Sequence, residues 1–302
     1  FWSPLLPLDL KKWLPALSLT TAMVLWASSF IALKLAFQGY SPMVVIWGRM
    51  VIGSLCFVFF YNQLRSVSFR RTDLKYLFFM GICEPCIYFI FEAKALELTT
   101  ASQAGLITSM FPLMVALGAY LVLKETITRR TLLGFSIAIS GACWLSLGGE
   151  TSASAPNPPL GNFLEFLAMV AATGYTLSLK HLTARYSPIF LTAFQSWIGA
   201  IFFSFFLLSP ETNIPTKFPL TPTLAVIYLG SFVTLGAYLL YNFGVSRIPA
   251  NKASAYVNLI PVFTVIMGFF ILGETFTVTQ YCASTLVLLG VYISQRKPRE
   301  LD

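Results

Sequence analysis

Apolar runs long enough to cross a bilayer follow one another from residue 13 almost to the end of the chain, and few folds accommodate that. A helix needs about 20 mostly apolar residues to span the hydrocarbon core. Ten such stretches can be read, at roughly 13–37, 42–64, 74–97, 102–124, 129–147, 161–182, 188–208, 222–246, 251–273 and 277–295. Lipid offers no partner for backbone N–H and C=O groups, so runs of this length must satisfy them internally as helices. Only 11% of the 302 residues are charged, against about 25% in soluble domains. The expected fold class is therefore all-α integral membrane, with ten transmembrane helices and the lipid bilayer as an obligatory partner.

The loops carry the orientation. Sixteen Lys and Arg residues fall on one set of loops and ends, and only Lys217 falls on the other. Cytoplasmic loops are the basic ones in membrane proteins, so both termini are expected in the cytoplasm, in the cytoplasmic (inner) membrane. The same placement explains the net charge of +8 without nucleic acid: no Lys/Arg run exceeds two residues. Lys11 and Lys12 precede an apolar run of about 25 residues with no small-residue cleavage site, which fits a first spanning helix better than a secretory signal. The five cysteines all lie in apolar runs. Cys83-x-x-Cys86 has no second pair or nearby His, so packing is expected rather than metal or redox chemistry.

An internal repeat organises the chain. Shifted by 149 residues, Ala95–Thr128 meets Gly244–Thr277. Ala101, Ala104, Pro112, Leu123, Glu125, Thr126 and Thr128 then fall on Ala250, Ala253, Pro261, Leu272, Glu274, Thr275 and Thr277, and Gly141 falls on Gly290. The repeats divide as 1–147 and 161–302, joined by a Gly-, Ser- and Pro-rich linker at 148–160. Five helices is an odd number, so the second copy must be inverted. Inverted repeats place a substrate site between them near the bilayer midplane, reached by alternating access. Pro112 and Pro261 each remove a helical hydrogen bond and are candidate hinges. One chain holds both repeats, so a monomer suffices, although a homodimer is compatible.

The residues at this point resemble the drug/metabolite transporter superfamily, in its EamA-type members. Trp26-Ala27-Ser28-Ser29-Phe30 resembles that family's W-[AG]-S-[ST]-F, Arg49 stands where the family often has Arg, and Ala95-Leu96, Thr100-Ala101-Ser102, Pro112 and Glu125 look like its signature in helices 3 and 4. Gly273-Glu274 repeats that exit in helix 9. One place departs: helix 6 usually opens with a W-A pair, and here it reads Ala172-Thr173, followed by Gly174-Tyr175. The resemblance covers nearly the whole chain and implies export of amino acids, drugs or other metabolites. The family also includes sugar-phosphate and nucleotide-sugar carriers, so membership names no substrate.

Ionisable groups inside spanning helices are functional candidates, because lipid exposure costs them several kcal/mol. Arg49 and Glu92 lie at similar depth in helices 2 and 3, roughly 10 Å from the outer end at about 1.5 Å per residue, so they can pair. Arg49 could instead clamp a carboxylate with its guanidinium fork. Glu84, Tyr88, Phe91 and Glu92 share a helix face by spacing, and Glu84 or Glu92 could load and release a proton. Lys94 projects away from Glu92; Lys34 suits either snorkelling or a cavity role. Trp26, Ser28, Ser29, Trp47, Tyr175, Gln195, Trp197, Tyr238, Tyr241, Asn242, Tyr256 and Asn258 are candidate cavity lining. From these, the expected substrate site comprises Trp26, Ser29, Arg49, Tyr88, Tyr175, Tyr238 and Asn258. Glu125 and Glu274 are expected to be structural, with Thr128 and Thr277 capping the next helices. His181, at a helix end, has no motif partner.

No phosphate-binding glycine loop, H-E-x-x-H or nucleophile elbow occurs, so neither an ATP-driven pump nor a hydrolase is expected, nor any metal or cofactor. Within the helices Lys34, Arg49 and Lys94 oppose Glu84, Glu92 and Glu165. That balance points to a small zwitterion such as an amino acid as the exported substrate. The alternatives are a lipophilic drug, a sugar phosphate or nucleotide sugar, or a lipid.

Overall fold

The computed structural model describes residues 8–65, 67–68, 70–123, 128–148, 151–210 and 212–295, with backbone alone at 8–12, 123, 251 and 295. Glu125, Lys124 and the basic residues beyond 295 lie outside the described residues. Among the described residues ten helices run in order: α1 Leu8–Phe37; α2 Pro42–Leu64, α3 Arg71–Leu98, α4 Ala101–Val122, α5 Arg129–Leu147, α6 Pro158–Leu182, α7 Pro188–Leu208, α8 Leu220–Arg247 and α9 Lys252–Leu272; and α10 Val278–Gln295. The first nine are long and apolar enough to cross a membrane, and α10 is a shorter apolar helix. Among the described residues there is no strand.

Local chemistry sets most helix ends. Ser187 accepts from the Phe190 amide at 3.2 Å, with Pro188 at the first helical position. Thr128 accepts from Thr131, and Thr277 and Gln280 cap each other reciprocally at 2.9 and 3.3 Å, as the sequence suggests. The start of α6 differs from the expected 161: Asn157 caps Leu160, and Pro158-Pro159 open the helix, so the linker's last prolines are helical.

The inverted repeat is visible in packing. A Cβ on Gly141 would lie 2.7 Å from the Val287 nitrogen, and one on Gly290 would lie 2.5 Å from the Ala138 nitrogen. Ala138 and Val287 are themselves related by the 149-residue shift. Close approach of this kind needs glycine, and it locks α5 to α10 at the periphery. α1 packs among α2, α3, α4, α8 and α9, and its Leu19, Ala22, Met23 and Ala27 are fully buried.

The same symmetry governs the irregular turns. Wide π turns occupy Ile82–Ile87 in α3 and Leu229–Ala237 in α8. Tight 3-10 turns, Thr108–Met110 and Tyr256–Asn258, precede Pro112 and Pro261. A proline lacks the N–H that would bond four residues back, which places both missing bonds in those turns, at Thr108 and Val257.

Bonds between the repeats tie both faces. On the basic face Asp73 accepts from Arg185 at 2.5 Å and from the Tyr186 hydroxyl at 2.8 Å. On the opposite face Tyr40 and Thr223 share a hydroxyl hydrogen bond, and Lys34 donates to the Ser154 carbonyl at 2.8 Å. Lys34 does not line the cavity between the repeats; it straps the linker to α1.

Candidate functional site

A buried cavity lies between the two repeats, walled by α1, α2, α3, α4, α6, α8 and α9. Its volume is about 40 Å³, well under the ~300 Å³ at the low end of ligand pockets. The cavity is closed down to that size, consistent with the bonds that hold both faces.

Two breaks in helical winding position its polar groups. Pro85 disfavours helical backbone in the residue before it, and Glu84 accordingly takes φ −148° and ψ 118°. Its carboxylate accepts from the Tyr238 hydroxyl at 2.5 Å, across the repeat boundary. The wide turn in α8 brings Thr234 to α2, where its hydroxyl accepts from Arg49 Nε at 3.2 Å.

Arg49 is 1% exposed and lies 4.3 Å above the Phe89 ring. Its Nη1 stands 3.9 Å from Glu92 Oε2, the pairing that helix depth anticipates. Neither of those two atoms makes a hydrogen bond. The other Glu92 oxygen accepts from the Tyr88 hydroxyl at 2.8 Å. Trp26 Nε1 is also buried without a partner, while its ring packs on Tyr238 and Tyr241 at 5.2 and 4.8 Å. The cavity wall therefore carries two unused donors and one unused acceptor between aromatic faces. Each such atom costs about 1–3 kcal/mol while unpaired.

Trp26, Ser29, Arg49, Tyr88, Tyr175 and Tyr238 all line the cavity, as do Glu84 and Glu92. The Ser29 hydroxyl donates to its own helix at Trp26 O, 2.7 Å away, so it shapes the wall without presenting its proton. The Tyr175 ring lines the cavity while its hydroxyl sits 2.8 Å from Gln195 and 2.7 Å from Asn242. Asn258 is the exception: it is half-buried, lies off the wall, and leaves Val257 and Ile260 to line it from α9. Its side-chain carbonyl oxygen is buried without a hydrogen-bond partner. Phe89 and Thr234 were not singled out from sequence. The 149-residue shift pairs Phe89 with Tyr238 and could have found it; Thr234 carries no such signal.

The charge balance drawn from sequence does not hold at the site. Lys94 is exposed and Lys34 is on the linker, so among the described residues Arg49 is the one cation beside Glu84 and Glu92, with the buried Glu165 next to Glu92. Glu274 is structural, as expected, but not locally: its two oxygens accept from the Ala101 and Ser102 amides at 2.9 and 2.8 Å, capping α4 in the other repeat. Cys83 and Cys86 are buried packing residues, with Cys83 against Gly174. The His181 and Tyr76 rings pack at a tilt, with centroids 4.6 Å apart. A second cavity, about 370 Å³ and apolar, lies between α2 and α8 and includes Trp47, Ile52, Phe218 and Val226.

Helices of membrane length in inverted repeats, enclosing a small aromatic-walled cavity with a few charged groups, fit a transporter architecture. The EamA-like transporter family model matches the chain twice, at residues 13–147 and 159–295. The chain belongs to that family. It is 26% identical to the uncharacterized transporter YetK of Bacillus subtilis, over 94% of this chain and 88% of that one. An uncharacterized transporter of Archaeoglobus fulgidus is 28% identical, over 95% of this chain and all of the relative. A probable terminal-alkyne amino-acid exporter of Streptantibioticus cattleyicolor is 24% identical, over 96% and 95%. A crystal structure of a protein 20% identical in sequence superposes with a TM-score of 0.67, covering 93% of this chain and 96% of the other, which establishes the shared fold.

Proposed function

We propose that this transporter exports small amino-acid-like zwitterions by alternating access, from the cytoplasmic membrane with both termini in the cytoplasm. The observation that carries the proposal is the open pair at the cavity wall: Arg49 Nη1 and Glu92 Oε2 face each other at 3.9 Å with no hydrogen bond to either. A carboxylate can accept from Arg49 and from Trp26 Nε1, and an ammonium can donate to Glu92. Phe30, Phe89, Phe111 and Ile260 offer apolar cover for a side chain. One cation among three carboxyls disfavours dianions such as sugar phosphates. The name of the Streptantibioticus relative agrees with this class of substrate.

Counterflow in proteoliposomes loaded with a panel of L-amino acids tests the proposal. Uptake of labelled substrate is expected in the wild type. Arg49→Lys keeps the charge but loses the fork, so it should weaken binding roughly ten- to a hundredfold, equivalent to about 1.5–3 kcal/mol. If no amino acid moved while a labelled phospholipid crossed between leaflets, lipid translocation through the apolar groove between α2 and α8 would replace it.

A further inference from the structure

The structure assigns a proton site to the carboxyl pair Glu165 and Glu92 beside the proposed substrate cavity. This rests on the proposed role of the cavity but uses a residue outside it. Glu165 is fully buried, and neither of its carboxyl oxygens has a hydrogen-bond partner. It does not line the cavity.

Helix register places it against Glu92. α6 runs antiparallel to α3, and at Gly161 the backbones touch: a Cβ there would lie 3.0 Å from the Ala95 carbonyl and 2.9 Å from the Thr99 nitrogen. One turn onward on the same face of α6 is Glu165, and three residues back on α3 is Glu92. The titratable groups within electrostatic reach of Glu165 are Glu92 and Tyr88, both from α3. Tyr88 donates to the far oxygen of Glu92. Arg49 and Glu84 stand behind Glu92. One turn toward the α6 start, Asn162 is saturated by Thr99, Gln103 and Ser146 and offers Glu165 nothing.

Charge counting then requires at least one proton. Arg49 balances one carboxylate, Glu92, and Glu84 competes for the same guanidinium. A second bare carboxylate at zero exposure would cost several kcal/mol, and among the described residues no other cation is available to it. A zwitterionic substrate brings no net charge, so it leaves that requirement unchanged. The proton site thus adjoins the Arg49 clamp through Glu92, and Glu165 belongs to the proton site alone. A proton arriving from water on one face binds the pair, shared by two carboxyls that cannot both ionise. It leaves to water on the other face after the repeats exchange conformations. This makes transport respond to a pH gradient.

Two measurements decide it. Infrared spectroscopy of the purified protein at neutral pH should show a protonated-carboxyl C=O band that weakens in Glu165→Gln, which keeps volume and removes the titrating group. An unchanged band would overturn the assignment, whatever the substrate. In proteoliposomes with L-leucine as probe, an imposed pH gradient should drive net leucine movement in the wild type. Glu165→Gln should lose that response and retain leucine counterflow. A variant that still follows the pH gradient would also overturn it. If wild-type vesicles carry no amino acid, the substrate proposal fails and the infrared result still decides the proton site. If a sodium gradient drives movement and a pH gradient does not, the proton is the wrong ion and the assignment falls.

Discussion

Removing Arg49 tests whether this pair carries fold, function or both. At 3.9 Å and an effective dielectric of about 20, two unit charges attract by about 4 kcal/mol. Breaking a buried pair by deleting one partner costs about 3–5 kcal/mol, because the other charge is left uncompensated. A chain of this size loses roughly 2–4 °C of melting temperature per kcal/mol, so Arg49→Ala should melt about 6–20 °C lower. Glu92→Ala should be milder. It leaves Arg49 its bond to Thr234, its place over Phe89 and the nearby Glu84 carboxyl, whereas Arg49→Ala leaves three carboxyls with no cation. The double variant removes both charges and should melt above Arg49→Ala, losing mainly the hydroxyl bonds of Thr234 and Tyr88, each worth about 1 kcal/mol. Thermal melts in detergent, paired with counterflow on the same preparations, give the full cycle. Additive melting losses would refute the electrostatic coupling. A double variant that folds and transports at the wild-type rate would make the pair purely structural and remove the carboxylate clamp.

Four further outcomes follow from the packing. Glu274→Gln leaves one carbonyl oxygen for two amides of α4, so melting should show a loss of about 1.5–3 kcal/mol; an unchanged melt would mean water caps that helix equally well. Gly290→Val drives a side chain into the α5 backbone 2.5 Å away and should destabilise by at least about 1–3 kcal/mol, read as reduced folded yield. Pro112→Ala and Pro261→Ala, in matching turns of opposite repeats, should shift accessibility to thiol probes in opposite directions; identical shifts would argue against symmetric hinges. A cysteine replacing the exposed Ala153 of the linker should label from outside the cell and one replacing Arg70 should not, and equal protection of both would overturn the proposed orientation.

Sequence alone determined what depends on the bilayer and on distance along a helix. Lipid demands long apolar helices, and the basic loops count them by parity. The 149-residue shift paired Gly141 with Gly290, and in the fold both lie where α5 and α10 approach most closely. Depth along two adjacent helices sufficed to pair Arg49 with Glu92, because rise per residue is fixed. Rotation and partner choice were not legible. A helix apolar all round gives no periodic stripe to say which face looks inward, so Asn258 was read as lining a cavity that Val257 and Ile260 line instead. Lys34 could be placed at the outer end of α1 but not on the linker carbonyl it holds. Glu274 promised a helix terminus, and only the fold chose α4 of the other repeat. The charge tally over whole helices looked balanced. Tertiary packing sorted it into one guanidinium and three carboxyls, by turning Lys94 outward and bringing Glu165 of α6 against α3 where Gly161 lets the backbones touch.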